Sequence, residues 1–139
     1  MTAYLLDANV LVALTVAEHA HHARASAWMA GVDRFALCPV VEGALVRFLV
    51  RIGERAAVAT RLLRQVHALR GGEFWPDDLS YADADLRPVR GHRQVTDAYL
   101  VGLAERHGGV LATLDEGLQR EWPSATLLLP GGGEASLTR

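Results

Sequence analysis

Asp7, Glu42, Asp97 and Asp115 are the residues whose type and setting could do chemistry. Asp7 closes the apolar run Tyr4-Leu5-Leu6 and precedes a second one, Val10-Leu11-Val12-Ala13-Leu14. An unpaired carboxylate in such surroundings costs on the order of several kcal/mol, so the position needs a reason. Glu42 follows the apolar Phe35-Ala36-Leu37-Cys38 and the strand-stopping Pro39, Asp115 follows Val110-Leu111-Ala112-Thr113, and Asp97 lies in the first turn of a helical stretch. Singly, the aspartates read equally well as helix N-caps, and Glu42 as a negative charge at the positive end of a helix. Jointly they read differently. Brought to one crevice, each pair about 5 Å apart would repel by roughly 3 kcal/mol at an effective dielectric of about 20, so protonation or a cation must relieve the set. An all-oxygen donor set without cysteine or histidine favours Mg²⁺ or Mn²⁺ over Zn²⁺. Such a site suits hydrolysis of a phosphate ester, because a divalent cation lowers the pKa of attacking water.

The elements that must position these groups alternate between strand and helix. Tyr4–Leu6 predicts a strand, with a helix from about Val10, and His19–Ala30 a second helix closed by Gly31. Phe35–Cys38 predicts a strand stopped by Pro39, and Val40–Val50 a helix ending near Gly53. Glu54–Arg70 carries an apolar stripe at Val58, Leu62, Val66 and Leu69 and predicts the longest helix, ended by Gly71-Gly72. A third strand is expected within Glu73–Ser80 and a polar loop over 83–93. Gln94–His107 predicts a helix, Val110–Thr113 a strand, then a short helix and a last strand at Ala125–Leu129. Residues 1–130 read as one domain, and 131–139 as a flexible glycine-rich tail. The alternation implies a mostly parallel sheet covered on both faces, with ligands bound beyond the carboxyl ends of the strands where the strand order reverses. Asp7, Glu42 and Asp115 fall just after strands, and Asp97 at the helix end facing the same edge.

Composition sets the outer bounds. Half of the 139 residues are hydrophobic and 22% are charged, which is globular composition. The lone Cys38 excludes an internal disulfide framework and fits a reducing compartment, with a small buried residue as its expected role. No apolar stretch is long enough for a spanning helix and no secretory leader is legible, so a cytoplasmic protein without membrane partners is expected. The net charge of −2 argues neither for nor against nucleic acid, although all 14 basic residues are arginine, the side chain suited to forked phosphate contacts.

Four blocks in order carry a family resemblance: Leu5-Leu6-Asp7-Ala8-Asn9-Val10-Leu11, Pro39-Val40-Val41-Glu42, Val95-Thr96-Asp97-Ala98-Tyr99-Leu100 and Leu111-Ala112-Thr113-Leu114-Asp115. They resemble a PIN domain, and their order, spacing and total length are similar to the VapC toxins of type II toxin–antitoxin pairs over nearly the whole chain. The resemblance implies a three-layer α/β/α PIN-like fold with a mostly parallel five-stranded sheet. It also implies a Mg²⁺-dependent endoribonuclease, with Mn²⁺ as a substitute, acting on structured RNA such as tRNA or ribosomal RNA. A homodimer neutralised by a VapB-type antitoxin follows from the same likeness. Residue by residue, Asp7, Glu42, Asp97 and Asp115 match the acidic ligands and Thr113 the hydroxyl position beside them. In that reading Asp7 and Asp97 hold the metal most directly, Glu42 and Asp115 complete its shell, and cleavage leaves a 5′-phosphate and a 3′-hydroxyl. Asn9, Thr96 and Thr113 orient ligands or waters from behind, or act as local caps.

Arg47 and Arg51 follow Glu42 at helical spacing, and Arg87, Arg90, His92 and Arg93 precede Asp97. Of these, Arg47, Arg90, His92 and Arg93 are the candidates for contact with an RNA backbone, against the alternative of a solvated arginine face. His19, His21 and His22 lack a third spaced metal ligand and read as a polar helix start. Trp28, Trp75 and Trp122 are expected in packing ahead of base stacking. Two other functions compete. A non-catalytic RNA- or protein-binding module on the same fold need not keep all four acids. An aspartate-nucleophile phosphohydrolase would want a second acid where Asn9 stands, and a lysine that the chain lacks.

Overall fold

The computed structural model describes residues 1–131. Its element order is β1 (Tyr4–Leu6), α1 (Ala8–Thr15), α2 (His22–Met29), β2 (Phe35–Leu37), α3 (Pro39–Arg51), α4 (Ala56–His67), β3 (Gly72–Phe74), α5 (Val95–Arg106), β4 (Val110–Thr113), α6 (Glu116–Glu121) and β5 (Thr126–Leu128). The five strands form one sheet in the order β3-β2-β1-β4-β5. Every pairing is parallel, with Leu5 opposite both Ala36 and Leu111. This is the three-layer α/β/α arrangement that the alternation of elements predicts.

β1 is the central strand, and it is as buried as a central parallel strand must be. Leu5 and Leu6 are fully buried, as are Phe35, Ala36 and Leu37 on β2 and Leu111 and Ala112 on β4. Each such leucine or phenylalanine side chain stabilises by roughly 1.5–3 kcal/mol on leaving water. α5 is buried almost all round, at Ala98, Tyr99, Leu100, Val101, Leu103 and Ala104, because the segment between β3 and α5 covers its outer side. Tyr99 stacks on Tyr81 at 4.4 Å between ring centroids and donates its hydroxyl to the Leu79 carbonyl at 2.9 Å. The helix that carries Asp97 is thereby clamped from both sides.

The chain runs β1, β2, β3 in one direction from the centre and then returns to place β4 on the other side of β1. The strand order therefore reverses between β1 and β4, and that is where a parallel α/β sheet opens a ligand crevice.

Several boundaries differ from the sequence reading. α1 begins at Ala8 rather than near Val10, because Asp7 itself caps it through the Ala8 N–H at 2.8 Å. The second helix starts at His22, not His19, and His19 instead accepts the His21 N–H on its ring in a turn. Gly31 is not in the left-handed region and ends nothing by that device; Gly53, Gly71 and Gly108 are, at φ of 98°, 85° and 71°. At Gly71 the requirement is double, since a Cβ there would lie 2.0 Å from the Asp33 carbonyl oxygen. α4 is shorter than its apolar stripe, and Leu69, left outside the helix, is exposed. The third strand shrinks to Gly72–Phe74: after the Trp75 N–H bonds the Leu37 carbonyl, Pro76 can supply no further donor to the ladder. The tail expected at 131–139 lies, apart from Gly131, outside the described residues. No helix among those residues is long and apolar enough to cross a membrane.

Candidate functional site

The carboxyl ends of β1 and β4 meet through one hydroxyl. Thr113, the last residue of β4, is fully buried and donates its Oγ1–H to Asp7 Oδ2 at 2.7 Å. The same oxygen accepts the Asp115 N–H at 3.0 Å and an amide N–H of Asn9 at 3.3 Å. Asn9 completes the brace by accepting the Leu114 N–H on Oδ1 at 3.1 Å. Asp7 and Asp115, a hundred residues apart in sequence, are thus fixed to one another by a short network whose buried members are all satisfied. Both also act as caps, Asp7 for α1 and Asp115 for α6 through the Leu118 N–H at 3.1 Å. Capping and convergence are compatible, because each N-cap points its carboxylate at the edge where the strands end.

Asp97, in the first turn of α5, joins this pair. Its carboxyl is pushed up to about 6, first by burial and then by the neighbouring charges of Asp7 and Asp115. Asp7 is raised too, chiefly by burial, with the Thr113 hydroxyl and the Ala8 N–H pulling the other way and Asp115 adding to the rise. Three of the four expected carboxylates therefore bear on one another electrostatically. A cavity of about 280 Å³ opens beside them, with Asp97 and Asp115 in its lining.

Glu42 is placed one strand farther out, beyond β2, and it has a partner of its own. His67, the last residue of α4, lies with Nε2 2.6 Å from Glu42 Oε2, in an ion-pair position half-shielded from water. Sequence reasoning assigned His67 no role. The signal lay in the α3–α4 pair: two packed helices joined by a short loop bring a residue at the end of one beside the start of the other. Asp77 is a second residue passed over; its carboxyl is raised, chiefly by burial and also by its neighbour Asp78, against the lowering effect of Cys38 and the start of α3. Cys38 is buried, its thiol pushed up to about 11 chiefly by that burial, which leaves it an inert packing residue.

Among the described residues no three His, Cys, Asp or Glu side chains form a ready-made cage for a metal ion. The carboxylates are neighbours across a crevice rather than a closed shell. The donor chemistry nonetheless fits a hard divalent cation: oxygen ligands only, and a mutual repulsion, visible at Asp97, that a cation would relieve.

The remaining candidates scatter. Thr96 is exposed and joins no hydrogen bond of the network. Arg93 lines the cavity beside Asp97 and Asp115, whereas Arg47 and Arg51 line a separate surface groove along α3, with Arg51 over the Phe48 ring. Arg90 and His92 are exposed on the approach to α5, and Arg87 is held by Asp85 at 2.8 Å. His22 bonds the Ala13 carbonyl through Nδ1 at 2.8 Å, as a structural group would. Trp28 packs edge-on against Tyr4, and Trp75 stacks on His107 at 4.5 Å and donates to Glu73. Trp122 is different: it packs partly on the core but also walls the cavity.

Comparison with known proteins resolves what this arrangement belongs to. The family model of the PIN domain matches residues 4–121. Ribonuclease VapC29 of Mycobacterium tuberculosis strain H37Rv is 53% identical over 127 residues, covering 91% of this chain and 96% of that protein. The chain belongs to the PIN-domain family, among the VapC ribonucleases. Ribonuclease VapC39 of the same organism is 38% identical over 128 residues, covering 85% of this VapC-family chain and 91% of the relative. In fold, it is similar to the crystal structure of M. tuberculosis VapC20, described as a Sarcin-Ricin loop cleaving toxin, with a TM-score of 0.65 over 86% of this chain and 95% of that one. VapBC2 from Rickettsia felis, bound to a promoter DNA fragment, gives a TM-score of 0.64 over 91% and 98%. At 20% and 13% identity these two likenesses speak for the fold.

Proposed function

We propose that this chain is a divalent-metal-dependent endoribonuclease and the toxin of a VapBC-type pair, with Asp7, Asp97, Asp115 and Glu42 as the residues that hold Mg²⁺ or Mn²⁺. The observation that carries the proposal is the convergence of three carboxylates at the switch point between β1 and β4, with Asp97 raised to about 6 by burial and its two neighbours. A carboxylate triad kept together against its own repulsion, in a chain 53% identical to a ribonuclease, is best explained as a cation site for phosphodiester hydrolysis. When bound, the cation lowers the pKa of the attacking water and offsets charge on the phosphate.

The chain's own residues do the rest. Thr113 locks one oxygen of Asp7 and the Ala8 N–H holds the other, so that this carboxylate cannot swing out of register. Asp115 is fixed by its backbone N–H on the same hydroxyl. Asp97, raised to about 6, gains its full charge only above that pH. Glu42 is kept in a defined position by His67. Arg93, at the cavity wall, offers a guanidinium to an RNA phosphate. The partners proposed with it are those implied by the resemblance to VapC toxins: a VapB-type antitoxin, a structured RNA substrate such as tRNA or ribosomal RNA, and a second copy of the chain in a homodimer. Phosphodiester hydrolysis in this form leaves a 5′-phosphate and a 3′-hydroxyl.

Purified protein incubated with cellular RNA in Mg²⁺ tests the reading. Cleavage that is lost in EDTA and lost in a folded Asp7→Asn variant supports it; cleavage at the wild-type rate by Asp7→Asn would overturn the metal assignment.

A further inference from the structure

The cavity beside the acids has a composition that the hydrolysis of a phosphodiester does not require. Its volume is about 280 Å³, near the small end of the range for ligand pockets, and its walls are built from Pro88, Val89, Leu118 and Trp122. Its polar side carries Arg93 and Gln94, with the carboxylates Asp97, Asp115 and Glu121 in the same lining. An indole, aliphatic walls, one guanidinium and one carboxamide, beside the carboxylates of the proposed site, are the chemistry of a nucleobase seat with its phosphate outside.

From this we infer that the cavity is a base-binding subsite, which takes the single nucleobase next to the scissile phosphate by stacking on Trp122 while Arg93 meets the adjoining phosphate. The inference rests on the nuclease reading above and adds to it which part of the RNA the protein grips. Three features support the assignment. Trp122 is the C-cap of α6, with its carbonyl accepting the Thr126 hydroxyl at 2.7 Å, so its backbone is fixed at the cavity wall that it helps to line. A rigid aromatic anchor costs little entropy to bind against. The Gln94 Oε1 accepts the Arg90 N–H, which directs its amide group and leaves the NH₂ end as a donor for a base edge. Finally, α6 is short and hangs on Asp115, the residue that caps it, so the aromatic wall and the carboxylate are set by one element and keep a constant offset. An RNA held by its base in the cavity is thereby registered against the carboxylates.

Binding of a short fluorescein-labelled single-stranded RNA in EDTA, read by anisotropy, separates this from simple phosphate attraction. The RNA is scanned with a single abasic residue, and the same RNAs are offered with Mg²⁺ to read cleavage. One abasic position, next to the cut, is expected to weaken binding about tenfold, the effect of losing one stacked base. Val89→Trp, which fills the cavity from a half-exposed wall, should bind intact and abasic RNA with equal, weak affinity, and Trp122→Phe should keep the difference. Equal affinity at every abasic position, or a Val89→Trp protein that still prefers the intact RNA, overturns the subsite. Base-dependent binding without cleavage in Mg²⁺ supports the subsite and overturns the nuclease reading; cleavage without base dependence does the reverse.

Discussion

Replacing Asp97 by asparagine in the metal-free protein should make the fold more stable at neutral pH, although it damages the site. Asp97 titrates near its ordinary value of 3.8 in the unfolded chain and at about 6 in the folded one. The folded state therefore holds this proton more tightly. Stability from this group is fully present below about pH 4 and is lost as pH rises through about 6, where the buried carboxylate ionises beside Asp7 and Asp115. A shift of about two units corresponds to roughly 3 kcal/mol at full strength, and because Asp97 is only half shielded from water about half of that survives screening, or 1–2 kcal/mol. The asparagine carboxamide cannot ionise. Urea unfolding of wild type and Asp97→Asn, in EDTA at about pH 4 and about pH 7, isolates the contribution, since every other titrating group is common to both proteins. The two should be nearly equal at the lower pH, and the variant more stable by about 1–2 kcal/mol at the higher. A variant equally stable at both, or less stable at pH 7, would refute the claim that Asp97 sits ionised against its neighbours.

Three other outcomes follow from the same geometry. Thr113→Val should destabilise by roughly 1–3 kcal/mol in urea unfolding, because buried Asp7 loses its donor and the partly shielded Asp115 N–H and Asn9 amide lose their acceptor. Gly71→Ala should cost more than about 2 kcal/mol by the same measurement, since an alanine there meets both a left-handed φ of 85° and the Asp33 carbonyl. Arg93→Ala should lower the salt slope of RNA binding by about one without abolishing binding, as the loss of one phosphate contact requires.

The sheet was legible because its strands are continuous apolar runs bounded by Asp7, Pro39 and Gly108-Gly109, signals that local sequence carries in full. The convergence of Asp7, Asp97 and Asp115 was legible by the same logic, as positions at strand ends and a helix start share one edge of a parallel sheet. What sequence did not carry was tertiary pairing. Nothing local to Glu42 marks His67, twenty-five residues on, as its partner; that contact exists only once α3 and α4 fold back on each other. Trp122 likewise read as packing, the default for a tryptophan alone in its segment; its place in the cavity wall becomes apparent only where Pro88 and Val89 fold beside it. The short third strand expected within Glu73–Ser80 forms at Gly72–Phe74 and goes no farther than Pro76, whose missing donor the sequence already showed.

The proposed function turns on a cation held by the carboxylates at the β1–β4 switch point. Isothermal calorimetry of Mg²⁺ binding at about pH 7.5, on folded wild type and folded Asp97→Asn, tests that claim most directly. Wild type should bind Mg²⁺, and the variant on the order of tenfold more weakly or not at all. Equal Mg²⁺ affinity in the two proteins would contradict it.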